Sequence, residues 1–117
     1  MSMEYTNVGS IARAARVRNA QEFIDKETSS HQVVVFSNSF CPFSHETKEL
    51  FAALEDIDTV VHELDEMKAG ATIQMELFRT TGQVSVPSVW VNGRHVGGSE
   101  DVLAAARSGQ LEKMLGV

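Results

Sequence analysis

The chain of 117 residues contains one cysteine, Cys41. A single thiol cannot close an internal disulfide, which excludes a disulfide-built secreted scaffold and fits a reducing compartment. It also excludes a metal site made from several cysteines of one chain. Proline is almost as scarce, with only Pro42 and Pro87. There is no basic excess: 10 Lys and Arg stand against 16 Asp and Glu, a net charge of −6. With no basic stripe interleaved with aromatics, that balance argues against a nucleic-acid partner. No apolar run approaches the ~20 residues needed to cross a bilayer, so no membrane partner is expected. What is present is a hydrophobic content of 43%, enough for one self-sufficient core at this length.

Residues 1–18 read as an N-terminal extension or extra helix, and 19–117 as the folded domain. The extension lacks the apolar segment of a secretory signal. Arg13, Arg16 and Arg18 form its one basic cluster. As the remnant of a targeting segment, they would imply an organelle. As part of a solvated extension, favoured by the early Glu4 and sparse serine, they leave a cytoplasmic location as the expectation.

Asn19-Ala20-Gln21-Glu22 has the spacing of a capping box and predicts a first core helix over 19–28, with Phe23 and Ile24 inward. The unbroken run Val33-Val34-Val35-Phe36 predicts a strand over 33–38, buried on both faces. Thr47, Leu50, Phe51 and Leu54 then switch to helical spacing, predicting a helix over 42–55. A second strand is expected over 59–64 and a helix over 70–80 that stops at Gly82. Asn92-Gly93, between Ser88–Val91 and His95-Val96, signals a hairpin. Ser99 is placed to cap a helix through Val102, Leu103 and Ala106, and a last short helix follows Gly109. The early β-α-β implies a parallel pair, and the hairpin adds antiparallel strands. The fold class is therefore α/β, a mixed four-stranded sheet flanked by helices.

The lone cysteine lies at the handover from the first strand to the second helix, in Cys41-Pro42-Phe43-Ser44. There its sulfur meets the unpaired N–H groups of a helical first turn, which favour an anion and so the reactive thiolate. Pro42 suits the first helical position, because its N–H is not needed there. Taken alone, an isolated cysteine reads as a small buried hydrophobe, but strand, Cys-Pro-aromatic and amphipathic helix in that order point to a reactive thiol. The four histidines show no metal-ligand spacing. His45 is placed either to tune the thiol or to face solvent. Trp90, Met67 and Met75 read as packing residues.

Three segments in order, Cys41-Pro42-Phe43-Ser44, Ser85-Val86-Pro87 and Gly97-Gly98-Ser99-Glu100-Asp101, resemble the glutaredoxins over about residues 19–115. The resemblance implies a thioredoxin fold and a glutathione-dependent thiol–disulfide oxidoreductase that reduces protein–glutathione mixed disulfides and disulfides. It implies Cys41 as nucleophile, a cis Val86–Pro87 bond, and docking of glutathione along Val86. The γ-glutamyl end is then expected at Gly98, Ser99 and Asp101, and the glycine carboxylate near Asn38 and Gln74. Phe43 would line the groove, and Glu100 is expected only to complement the helix dipole. The implied partners are glutathione, glutathionylated or disulfide-containing proteins and, indirectly, the glutathione reductase system; a monomer is expected. An alternative use of the same groove is a glutathione-ligated [2Fe–2S] cluster shared by two chains, with Cys41 as the one protein ligand from each. Three positions depart from the family's pattern. Asn38 stands where a lysine is common and Val84 where a basic residue is common. Ser44 stands where dithiol members have a second cysteine, so the chain is either naturally monothiol or a Cys-to-Ser variant of a Cys-Pro-Phe-Cys parent.

Overall fold

The computed structural model describes residues 3–117, with side chains from Val8 onward. The chain runs α1 (Met3–Ser30), β1 (Val33–Ser37), α2 (Pro42–Ala52), β2 (Thr59–Glu63), a 3-10 turn (Leu64–Glu66), α3 (Gly70–Thr81), β3 (Ser88–Val91), β4 (Arg94–Gly97), α4 (Ser99–Ser108) and α5 (Gln110–Leu115). The four strands form one sheet in the order β2-β1-β3-β4. β1 pairs parallel with β2 and antiparallel with β3, and β3 pairs antiparallel with β4.

The two-residue period of β1 divides the core. Val33 and Val35 point to one face, where Val89, Val91, Phe51, Val102, Leu111 and Leu115 cover them. Val34 and Phe36 point to the other, beneath Ala20, Ile24, Leu64, Ile73 and Leu77. All five β1 residues are buried, as an apolar run on a central strand requires. The hairpin closes on Asn92 and Gly93, both at positive φ (49° and 79°), the conformation that Asn-Gly supplies.

Several boundaries differ from those the pattern suggests. α1 is one helix of 28 residues, not a helix beginning at 19. Nothing in 3–18 breaks a helix, since no proline occurs there, and the Asn19–Glu22 spacing lies in the helix interior. Residues 1–2 of the expected extension lie outside the described residues. Val8 and Ile11 are 71% and 67% exposed, so these two side chains pack on little. α2 stops at Ala52, which leaves Leu54 on the surface. Leu64 belongs to the 3-10 turn instead of β2. Met75 is 65% exposed and packs nothing, whereas Met67 and Trp90 pack against the core. Among the described residues, no helix is long and apolar enough to cross a membrane.

Candidate active site

Cys41 is the residue just before α2, in an extended conformation, with Pro42 opening the helix. Its N–H donates to Asn38 O at 3.2 Å, and its own carbonyl accepts the His45 N–H at 3.0 Å. The side chain is partly exposed. Burial is the largest influence on the thiol and pushes its pKa up. It is outweighed by the Ser44 N–H, the Ser44 hydroxyl, the Phe43 N–H and the charge of Lys48. The net effect holds the thiol below its ordinary value, as expected of a sulfur at a helix start.

Ser44 is fully buried. Its hydroxyl oxygen accepts the Asn38 N–H at 3.4 Å, and its proton serves the Cys41 sulfur. Asn38 thus enters the site through its backbone N–H and C=O. Lys48, one face of α2 further on, supplies a cation that the sequence reading missed; its Nζ is 3.1 Å from Glu63 Oε2, so much of that charge is already balanced. The loop before Cys41 is pinned from β2's end. Ser39 N–H donates to Asp65 Oδ1 at 2.9 Å and the Ser39 hydroxyl to Asp65 Oδ2. These bonds, the hydroxyl first, hold the Asp65 carboxyl below its usual range. His45 faces solvent and pairs with Glu49 at 3.0 Å.

Beside this turn lies an open cleft of about 330 Å³ lined by Phe43, Gln83, Ser85, Val86, Gly98, Ser99, Glu100 and Asp101. It brings together Phe43, Val86, Gly98, Ser99 and Asp101 from three distant segments. The Val86–Pro87 bond is cis, and Pro87 is buried behind the cleft wall. Gly98, not Ser99, caps α4; Ser99 is the first helical residue. The reason is that the Asp101 carboxylate reaches back to accept the Gly98 N–H at 3.0 Å, so no hydroxyl is needed there. Gly97, at φ 131°, must lack a side chain because a Cβ would overlap that carboxylate.

The first-turn N–H groups of Ser99 and Glu100 have no intrahelical acceptor and suit an anion. The adjacent Glu100 and Asp101 side chains suit a cation. One wall of the cleft therefore matches the two ends of an α-amino acid group. Gln74 is elsewhere: it donates to Val84 O at 3.1 Å, in a shallow patch with Ala71, Met75 and Phe78. Gln83 is a cleft residue without any sequence signal beyond its place next to Gly82. Among the described residues, no group of three or more His, Cys, Asp or Glu is arranged to hold a metal ion.

A sequence model described as Glutaredoxin matches residues 33–96, from β1 into β4. The chain belongs to the glutaredoxin family. It is a thiol–disulfide oxidoreductase with a thioredoxin fold. The glutaredoxin is 42% identical to glutaredoxin-C4 of Arabidopsis thaliana, over 96% of this chain and 82% of that protein. It is 40% identical to monothiol glutaredoxin-S6 of Oryza sativa subsp. japonica, over 88% of this chain and 78% of that one. Among solved structures, a buckwheat glutaredoxin–glutathione complex superposes with a TM-score of 0.82 at 34% identity, covering 86% of this chain and 91% of the other.

Proposed function

We propose that this glutaredoxin reduces protein–glutathione mixed disulfides with glutathione, by a route that needs Cys41 alone. The observation that carries the reading is an acidified thiol two residues from Phe43, a wall of a cleft that presents both charge types needed for an amino-acid end group. The Cys41 thiolate attacks the glutathione sulfur of the mixed disulfide. The S–S bond breaks, the target protein's sulfur leaves as thiolate and takes a proton from water, and Cys41 carries glutathione. A second glutathione thiolate then attacks that glutathione sulfur. Cys41 leaves as thiolate and glutathione disulfide is released. One mixed disulfide and one free glutathione thus become the target's thiol and glutathione disulfide, and no second protein thiol takes part.

Ser44 supports this one-cysteine route. Its hydroxyl cannot attack the adduct, but it donates to the sulfur, which favours Cys41 both as attacker and as leaving group. Glutathione is proposed to lie along Val86, with its γ-glutamyl end at Ser99 and Asp101. The glycine end would then run toward the Asn38 and Gln74 side, where the lysine common in the family is missing.

Intact mass after incubation with glutathione disulfide is expected to show one glutathione per chain, at Cys41. Turnover of a small glutathione mixed disulfide is expected to require the same residue. Turnover retained in Cys41→Ser would overturn the proposal. A brown, visibly absorbing dimer after anaerobic reconstitution with iron and sulfide would mark cluster carriage instead, with one thiolate from each chain and the rest from glutathione.

A further inference from the structure

The segment 83–87 joins α3 to β3 and forms one wall of the cleft. It belongs to no helix or strand, so its backbone polar groups need partners from outside regular structure. Two of its carbonyls share one partner. Gln83 Nε2 donates to Ser85 O at 3.0 Å and to Pro87 O at 2.7 Å. These carbonyls flank Val86, whose own N–H and C=O make no hydrogen bond among the described residues.

The other end of the amide is also held. Gln83 Oε1 lies 2.8 Å from His95 Nε2. An amide nitrogen only donates and its oxygen only accepts. The two carbonyls therefore set the orientation of the amide, and His95 Nε2 must carry its proton. The His95 ring is itself held by Trp90, with centroids 5.2 Å apart. Gly98 leaves room for the arrangement, since a Cβ there would fall 3.3 Å from Gln83 Nε2 and 3.7 Å from Pro87 O.

We infer that Gln83 is a positioning residue for the bound tripeptide: by tying down the carbonyls on both sides of Val86, it leaves the Val86 N–H and C=O as the free, ordered pair for a ligand backbone. This rests on the reading that glutathione docks along Val86, and it adds the residue that prepares that edge. Without the two donors, the Ser85 and Pro87 carbonyls must find water. The wall then loosens and has to be ordered by the ligand, which lowers affinity. The Cys41 thiol, on a different loop, keeps its own hydrogen bonds.

The test uses the full chain and S-methylglutathione, which occupies the cleft without a free thiol. Gln83→Met keeps the length of the side chain and removes the donors. Its affinity for S-methylglutathione by calorimetry is expected to fall about tenfold. The KM for a small glutathione mixed disulfide should rise far more than kcat falls, and the rate of Cys41 alkylation by iodoacetamide should stay at the unaltered value. His95→Phe keeps a ring against Trp90 and frees the far end of the amide; a loss of about threefold in the same affinity is expected. Unchanged affinity in both variants would overturn the inference. A chain that does not bind S-methylglutathione even unaltered would overturn the glutathione reading itself.

Discussion

α2 and α4 begin at the same cleft and use their N-termini in opposite ways. The first turn of α2 contains no acidic residue, and its unpaired N–H groups at Phe43 and Ser44 turn to the Cys41 sulfur. The first turn of α4 contains Glu100 and Asp101, and the Asp101 carboxylate closes on the Gly98 N–H. Both termini have the same partial positive charge. In α2 it faces the Cys41 sulfur and favours its thiolate form. In α4 it is shared between fixed carboxylates and whatever the cleft binds, so that wall attracts a group bearing both charges. The difference lies mainly in a few side chains, since both helices start from an extended residue, Cys41 and Gly98.

The largest expected effect removes the anion of the first terminus. Cys41→Ser should bring glutathione-dependent turnover to background while the far-UV and near-UV circular dichroism stay unchanged, since serine is nearly isosteric. Next comes the charge of the second terminus. Asp101→Asn keeps an oxygen that can accept the Gly98 N–H and removes only the charge, so the melting temperature should hold. Its affinity for S-methylglutathione should drop by ~1–3 kcal/mol, roughly fivefold to 150-fold. An equal affinity would mean that Asp101 serves the helix alone.

Smaller effects separate the donors that act on the thiol. Ser44→Ala removes one donor to the sulfur and leaves the Asn38 N–H without its acceptor. Because the thiol is held below its ordinary value in the folded chain, the thiolate's contribution to stability is present above the ordinary pKa and lost as pH falls through the lowered one. Ser44→Ala raises the lowered value. The midpoint of the iodoacetamide rate–pH profile should therefore move to higher pH, and the alkaline gain in stability should shrink. Lys48→Met should shift that midpoint in the same direction but least, because Lys48 is the last of the influences on the thiol and is paired with Glu63. A larger shift from Lys48→Met than from Ser44→Ala would reverse the ranking of a near hydrogen bond over a distant charge.

How much of this was legible in the chain depends on the distance over which each feature is encoded. β1, the start of α2, the Asn92-Gly93 turn and the αL stop at Gly82 were all legible, because each is a change of period or a backbone conformation that neighbouring residues specify. The start of α1 was not: a capping-box spacing is a local pattern that a longer helix simply runs through. The choice of Gly98 over Ser99 as cap was not either, since it turns on where the Asp101 carboxylate goes.

Sequence alone determined the place of the lone cysteine at a strand-to-helix turn and the three segments that meet at the cleft. Each depends on residue type and on contacts within a few positions. Tertiary structure alone decided which side chains support them. Asp65 reaches Ser39 across 26 positions, Gln83 meets His95 across 12, and Gln74 falls outside the cleft, against Val84. Ser39 and Asp65 meet because β1 and β2 run parallel and end side by side, and Gln83 meets His95 because β4 folds back along β3. No periodicity along the chain records which residues will meet.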